Sequence, residues 1–256
     1  MASCYGNVEE EEKSSFKFNY LPLSTNLKNG KEVVLDVFDE SDHLVGMEML
    51  NEVLREGQAW PFENELNAEG FKGYFLSHAA FTVKEKHGAQ NVVGIFYIKP
   101  NFPGRCSHIC NGGFVTNKEY RGLGVATFMG KAFLRMAKDL GYKMAYFNLV
   151  FDSNKVSIQL WENLGFQRIV TVPKAARLKG IPYLVDAHQY IYDLTGREDN
   201  HDANKRQQQR YKPLVFKKIF SNSKWSNTAI AIAAISGVVV GTIIGGVCQS
   251  RQKYQR

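Results

Sequence analysis

The stretch GGFVTNKEYRGLGVATFMGKAFLRMA, residues 112–137, decides the fold. It reads as a strand that ends near Val115, a glycine-bearing turn (RGLGVA, 121–126) and an amphipathic helix whose buried face is marked by Val125, Met129, Ala132, Met136 and Leu140. Glycines at 122 and 124 remove the Cβ atoms that would hold a ligand off the main chain. The opening helical turn leaves N–H groups without partners inside the helix, and such groups point at an anion, so the chemistry predicted here is pyrophosphate binding. Two familiar phosphate motifs do not fit. A Walker loop needs Gly-Lys-Ser/Thr, which is absent; a dinucleotide fingerprint needs glycine where Thr127 stands and an acidic residue about 20 positions further on at a strand end.

Working outward, residues 32–38 (EVVLDVF) alternate as a first strand. Residues 43–60 place Leu44, Met47, Leu50, Val53 and Leu54 at helical spacing until Pro61, and 64–76 supply a second helix. The period then changes: 79–86 and 92–99 alternate on either side of the turn-forming HGAQN, which predicts a β-hairpin. A strand over 106–116, a helix over 125–140, a strand over 144–151, a helix over 154–163 and a strand over 166–172 complete the series. This order predicts an α+β fold, with a mostly antiparallel sheet that turns parallel around one crossover helix.

The chain has 256 residues, with 44% apolar and 22% charged residues, 17 Phe, 12 Tyr and 3 Trp, so a core is affordable and wholesale disorder is excluded. Four cysteines are too few for a disulfide framework. The net charge of +7 is unevenly placed: residues 203–256 hold ten basic residues and no Asp or Glu, which leaves the other 202 at −3. A near-neutral domain with a cationic tail argues against nucleic acid as the partner of the domain. Residues 228–247, TAIAIAAISGVVVGTIIGGV, would span about 30 Å as a helix, the thickness of a bilayer's hydrocarbon core. Trp225 on one side, with Arg251, Lys253, Tyr254 and Arg256 on the other, suits the two interfaces.

The expected organisation is a disordered N-terminus (1–20), a catalytic domain (21–196), a basic linker (197–224), a transmembrane tail anchor (225–248) and a short basic tail (249–256). No apolar h-region opens the chain, which places the domain in the cytosol, on a mitochondrial outer or peroxisomal membrane in preference to the endoplasmic reticulum. Ala229, Ala233, Gly237, Gly241 and Gly245 recur every fourth position, the spacing of a membrane homodimer or simply of a Gly- and Ala-rich span.

Arg121, Gly124 and Ala126 match Arg/Gln-x-x-Gly-x-Gly/Ala, the acetyl-coenzyme A signature of the GNAT N-acetyltransferase superfamily. Asn154, Ser157, Leu160, Trp161, Leu164, Gly165 and Phe166 resemble that superfamily's second signature, N-x-x-A/S-x-x-L-Y-x-x-x-G-F. FYIKPNFPGRCSHICNGGFVTN (96–117) and FNLVFDSN (147–154) are similar to the fungal N-acetyltransferases of L-azetidine-2-carboxylate and other proline analogues, over roughly residues 60–194.

The resemblance implies a splayed sheet flanked by helices, with acetyl-CoA in a V-shaped opening between the strands ending at Val115 and at Phe151. It implies a small-molecule amine as acceptor. The pyrophosphate falls to the amides of Arg121, Gly122, Leu123, Gly124, Val125 and Ala126, and the pantetheine arm to Phe114 and Val115. Asn111 and Asn148 face the acceptor, the main chain of Asn148 and Leu149 takes its carboxylate, and Asn154 lies on the coenzyme side. The residues themselves leave alternatives: Asn111 as a turn residue at an Asn-Gly-Gly bulge, and Asn154 as a helix N-cap. An Asn in the apolar run YFNLVF needs a partner, which favours a ligand contact for Asn148.

Trp161 departs from the pattern. Many members carry a Tyr there as the acid for the leaving thiolate, and an indole N–H is no such acid, so a silent acetyl-CoA-binding scaffold is the alternative to an enzyme. No His or Glu stands out as a base. Cys106, His108 and Cys110 alternate as if on one strand face, but zinc needs three or four ligands and no second pair accompanies them, so no metal is assigned. His78 and Arg105 read as a structural residue and a solvated loop charge.

Overall fold

The structure is a computed structural model, and residues 18–196 are described. One eight-stranded sheet organises them: β1 (Leu23–Asn26), β2 (Glu32–Val37), β3 (Ala79–Glu85), β4 (Val92–Pro100), β5 (Ile109–Thr116), β6 (Met144–Phe151), β7 (Gln167–Ala176) and β8 (Val185–Asp193), in the order β1-β2-β3-β4-β5-β6-β8-β7. Four helices accompany it: α1 (His43–Glu56), α2 (Ala68–Phe75), α3 (Val125–Asp139) and α4 (Lys155–Asn163). Every neighbouring pair is antiparallel except β5 and β6, which α3 connects. The expected α+β order stands, with two strands added at the ends. Neither β1 nor β8 is in the sequence reading.

Strands β3 and β4 are buried almost throughout because helices cover both faces of the sheet. On one face Val125, Met129, Phe133 and Met136 of α3 meet Phe96, Ile98, Phe147 and Trp161. On the other, Leu50, Val53 and Leu54 of α1 and Phe71 and Phe75 of α2 meet Ile95, Tyr97 and Val115. The buried amide of Asn51 fixes the α1–α2 connection by bonding both main-chain groups of Leu66, at 2.8 and 2.9 Å.

Several boundaries move for local reasons. Helix α1 stops at Glu56 rather than 60, because Gly57 adopts φ +68° and donates to the carbonyl of Val53 at 3.1 Å, a left-handed cap. Strand β5 starts at Ile109, since Gly104–Cys106 forms a 3-10 turn. That turn takes Cys106 off the strand and breaks the alternation of Cys106, His108 and Cys110. Phe18 and Tyr20, in the stretch expected to be disordered, are packed: Phe18 lies 5.7 Å from the Phe81 ring, and Tyr20 donates to Asp139 at 2.6 Å under the guanidinium of Arg135. Among the described residues no helix is long and apolar enough to cross a membrane, and the 228–247 stretch, with the linker and basic tail, lies outside them.

Candidate active site

The feature that builds the site is the shortness of the parallel ladder. Strands β5 and β6 pair at Ile109–Met144 and Cys110–Ala145 only, and beyond those residues they splay. The β4–β5 ladder runs without a register shift between the bonds Asn101 N–H to Ile109 O (2.8 Å) and Asn117 N–H to Val93 O (3.0 Å). Alternation along that ladder commits the main chain of Asn111, Gly113 and Val115 to β4, and turns the amides and carbonyls of Gly112, Phe114 and Thr116 toward the splay. Of the two residues expected to pair with a pantetheine arm, Phe114 therefore presents its main chain to the opening. Val115 spends its amide on β4 and its side chain in the α1–α2 core.

Asn111-Gly112-Gly113 is regular strand, not a bulge, which removes the turn alternative for Asn111. The two glycines answer to crowding on opposite faces. A Cβ on Gly112 would stand 2.6 Å from the Phe133 ring, and one on Gly113 would stand 2.5 Å from Tyr97 and 2.8 Å from Trp60.

The bulge lies on the facing strand. Register in β6 passes from Phe147–Tyr190 to Val150–His188, so Asn148 and Leu149 together oppose Gln189. The ladder bonds at either end, Leu194 N–H to Lys143 O (3.0 Å) and Asp152 N–H to Asp186 O (2.8 Å), set the alternation on each side of the shift. Both residues consequently fall outside the β6–β8 ladder, along the strand's splayed edge. The Asn148 side chain, expected to seek a ligand, has a protein partner: its amide donates to Asn101 Oδ1 at 2.6 Å and accepts from Asn101 Nδ2 at 3.2 Å. Asn101 is absent from the sequence reading; it is visible only once β4 and β6 flank β5.

At the wide end of the splay, β5 runs through a 3-10 turn, Lys118–Tyr120, into the glycine turn and α3. Gly124 caps α3 with φ +100°, and Cβ atoms built on Gly122 or Gly124 would meet nothing within 4 Å. Phe128 donates the first helical bond, to Gly124 O at 3.0 Å, so the amides from Gly124 through Thr127, which include Val125 and Ala126, are left over by the helix. The amides of Arg121 and Leu123 are spent inside the turn, on Lys118 O (3.3 Å) and Tyr120 O (3.4 Å). The Arg121 guanidinium forks onto Glu56 at 2.9 and 3.1 Å. Tyr120 anchors the turn from below, donating to the nearly buried Glu85 carboxylate at 2.7 Å. Open space, unspent amides and a helix N-terminus suit a pyrophosphate at Gly122 to Ala126. Asn154 caps α4, its side chain accepting from Ser157 N–H at 3.1 Å.

Trp161 is buried against the side chains of both splayed strands, its ring 4.9 Å from Phe114 of β5 and 4.7 Å from Phe147 of β6. It serves as an aromatic wedge on the α3–α4 face. The opposite face holds an aromatic group missed in the sequence: Trp60 Nε1 donates to the Tyr74 hydroxyl at 3.0 Å, and that hydroxyl lies 3.0 Å from that of Tyr97. Phe62 packs on Tyr74, and Phe102 on Tyr146. Burial raises the Tyr74 and Tyr97 hydroxyls above their ordinary range. Lys99 lies across both rings, paired in register with Asn111. Among the described residues no group of three or more His, Cys, Asp or Glu could hold a metal.

Residues 47–166 match the Acetyltransferase (GNAT) family. The N-acetyltransferase aca1 of Schizosaccharomyces pombe is 35% identical over 191 residues, which cover 69% of this chain and 87% of that one. The chain belongs to the GNAT acetyltransferase family. Among solved structures, a GCN5-related N-acetyltransferase from Kribbella flavida superposes with TM-score 0.59 at 22% identity, over 63% of this chain and 97% of the other. A GNAT superfamily phosphinothricin acetyltransferase from Sinorhizobium meliloti, whose structure contains AcCoA, gives 0.57 at 15%, over 64% and 89%. At these identities the likeness speaks for the fold, and the GNAT splay is the feature just described.

Proposed function

We propose that this GNAT acetyltransferase moves the acetyl group of acetyl-CoA to the nitrogen of a small amine, with a cyclic imino acid of the proline-analogue type as the favoured acceptor. The observation that carries the proposal is the splay itself, where the unspent amides of the α3 turn continue into the outward-turned main chain of Gly112, Phe114 and Thr116. Acetyl-CoA supplies the activated thioester. The turn from Gly122 to Ala126 holds its pyrophosphate, and the Phe114 amide polarises the thioester carbonyl, a preorganised donor of a kind worth about 10²-fold or more in rate. Asn111 and the Asn148–Leu149 bulge face the acceptor, the bulge offering two consecutive main-chain units to its carboxylate. No protein nucleophile is needed, because a neutral amine attacks the carbonyl directly.

Residues 225–248 tether the enzyme to a membrane in this proposal, with the domain on the cytosolic side of a mitochondrial outer or peroxisomal membrane; the apolar, charge-free run supports it. Lipid and a second copy of the chain are its expected partners there. A thiol-release assay with acetyl-CoA and a panel of imino acids, polyamines and peptides tests the activity. Turnover fastest on the imino acids is expected, and coenzyme binding with no turnover on any acceptor would instead establish a silent binder. Carbonate extraction of the full chain tests the tether, which requires retention in the membrane pellet.

A further inference from the structure

Lys99 is an unusual lysine for its place. It sits at the end of the most buried strand, with its ammonium 3.9 Å from the centre of the Tyr74 ring and 4.4 Å from that of Tyr97. The ammonium donates to the Tyr74 carbonyl at 3.2 Å. That carbonyl also accepts from Ser77 Oγ at 3.2 Å, and Ser77 Oγ lies 3.1 Å from His78 Nδ1. The titratable groups packed around it are therefore the phenols of Tyr74 from α2 and Tyr97 from β4, with the exposed His78 at the corner, while β5 contributes the neutral Asn111. Among the described residues no carboxylate offsets the burial, which pushes the Lys99 ammonium down to about 8. The residue is only partly exposed, and it stands across from Asn111, the first residue of β5 past the parallel pairs, where the splay begins.

We propose that Lys99 is the proton acceptor for the attacking amine, the base that the sequence does not declare. This rests on the acetyl-transfer function above. Neutral Nζ takes a proton from the incoming ammonium, and the freed nitrogen lone pair forms the bond to the thioester carbon. The carbon–sulfur bond breaks, the second proton of the nitrogen goes to the departing thiolate, and the proton on Nζ leaves to bulk water. The atoms balance as ammonium plus acetyl-CoA giving amide, free thiol and one proton. A lysine is otherwise too basic for this work near neutrality, and burial without a counter-ion is how such a group is brought into range. The cation–π seat holds the ammonium after transfer without quenching it as a carboxylate would.

The test compares the full-length chain with Lys99→Met and Lys99→Arg, using acetyl-CoA and an imino acid, from pH 6 to pH 10. For the unaltered chain kcat/KM for the acceptor should climb through about pH 8, as Nζ loses its proton. Both variants should lose on the order of 10²-fold or more at neutral pH and should lack that limb, because neither methionine nor a permanently charged guanidinium takes a proton. Calorimetric binding of acetyl-CoA within about twofold of the parent would show that the variants keep their fold. Lys99→Gln provides the same comparison should Lys99→Met fail to bind. Arg at 99 retaining a third or more of the rate, or a limb unchanged in Lys99→Met, would overturn the assignment and leave the acetyl-transfer function standing. An unaltered chain that binds acetyl-CoA and acetylates no amine would overturn both.

Discussion

Single residues in this protein are tuned by what surrounds them more than by what they are. Lys99 holds its proton up to about 8 in the folded chain and up to about 10.4 once unfolded. Between those values the unfolded state binds more protons, so stability rises with pH across that window, and the penalty is fully present below about 8. Urea titrations at pH 7 and pH 10 should show the parent gaining on Lys99→Met by about 1–3 kcal/mol; a difference independent of pH would contradict the burial of that ammonium. Glycines divide by cause. Gly112→Ala forces a methyl against the Phe133 ring and should destabilise by about 1–3 kcal/mol, read as a lower urea midpoint. Gly124→Ala meets open space but strains a φ of +100° at the α3 cap. Its expected effect is weaker acetyl-CoA binding by calorimetry, with little change in the packing beneath.

At the scale of elements, the proposed acceptor side rests on the bulge in β6. Deleting Leu149 would let one residue oppose Gln189 again and restore simple alternation, so that a single main-chain unit would face the splay. Acceptor KM should rise sharply while acetyl-CoA affinity holds; equal loss of both would mean that the strand had collapsed instead. Asn154→Ala removes the N-cap of α4 and should cost about 1 kcal/mol of stability, recoverable with Ser or Asp.

The same scale shows what the sequence could disclose. Periodicity located α1, α3 and α4, because each has one dominant buried face; the β3–β4 hairpin, buried on both faces, was marked by its turn-forming HGAQN and its β-branched run. It missed β1, four residues half exposed at the sheet edge, and β8, whose HQY segment breaks an apolar pattern. There His188 is buried between Asp152 and Thr171, at 3.0 and 2.9 Å. The glycine turn was legible because its conformation is set by local backbone geometry. Asn101, Lys99, Tyr74 and Trp60 were not, since each acts through a neighbour distant in sequence. Asn148 shows the limit most sharply: the need of its half-buried amide for a partner was foreseen, and the partner just past the end of β4, Asn101, was not.

For the molecule as a whole, residues 18–196 carry a core on each face of one eight-stranded sheet. A chain truncated after residue 196 should remain folded and bind acetyl-CoA with unchanged affinity, and, on the proposed tether, should lose only retention in carbonate-washed membranes. Loss of coenzyme binding on truncation would show that the tail contributes to the fold. Trp161, from this vantage, is a structural wedge whose substitution should lower stability more than it changes any acid-dependent limb of the pH profile.

The two-rung junction of β5 with β6 also has a mechanical meaning. Strands β1 to β5 and strands β6 to β8 are stitched by a seam that the polypeptide leaves incomplete, and a cosubstrate laid along it would furnish the missing rungs. Donor binding should then protect the amides of Gly112, Phe114 and Thr116 from hydrogen exchange, and stabilise the folded chain by the mass-action amount, about 2.7 kcal/mol at a hundredfold excess over Kd, read as a higher melting temperature. The released product would take those rungs away with it, so each catalytic cycle would loosen and re-stitch the sheet.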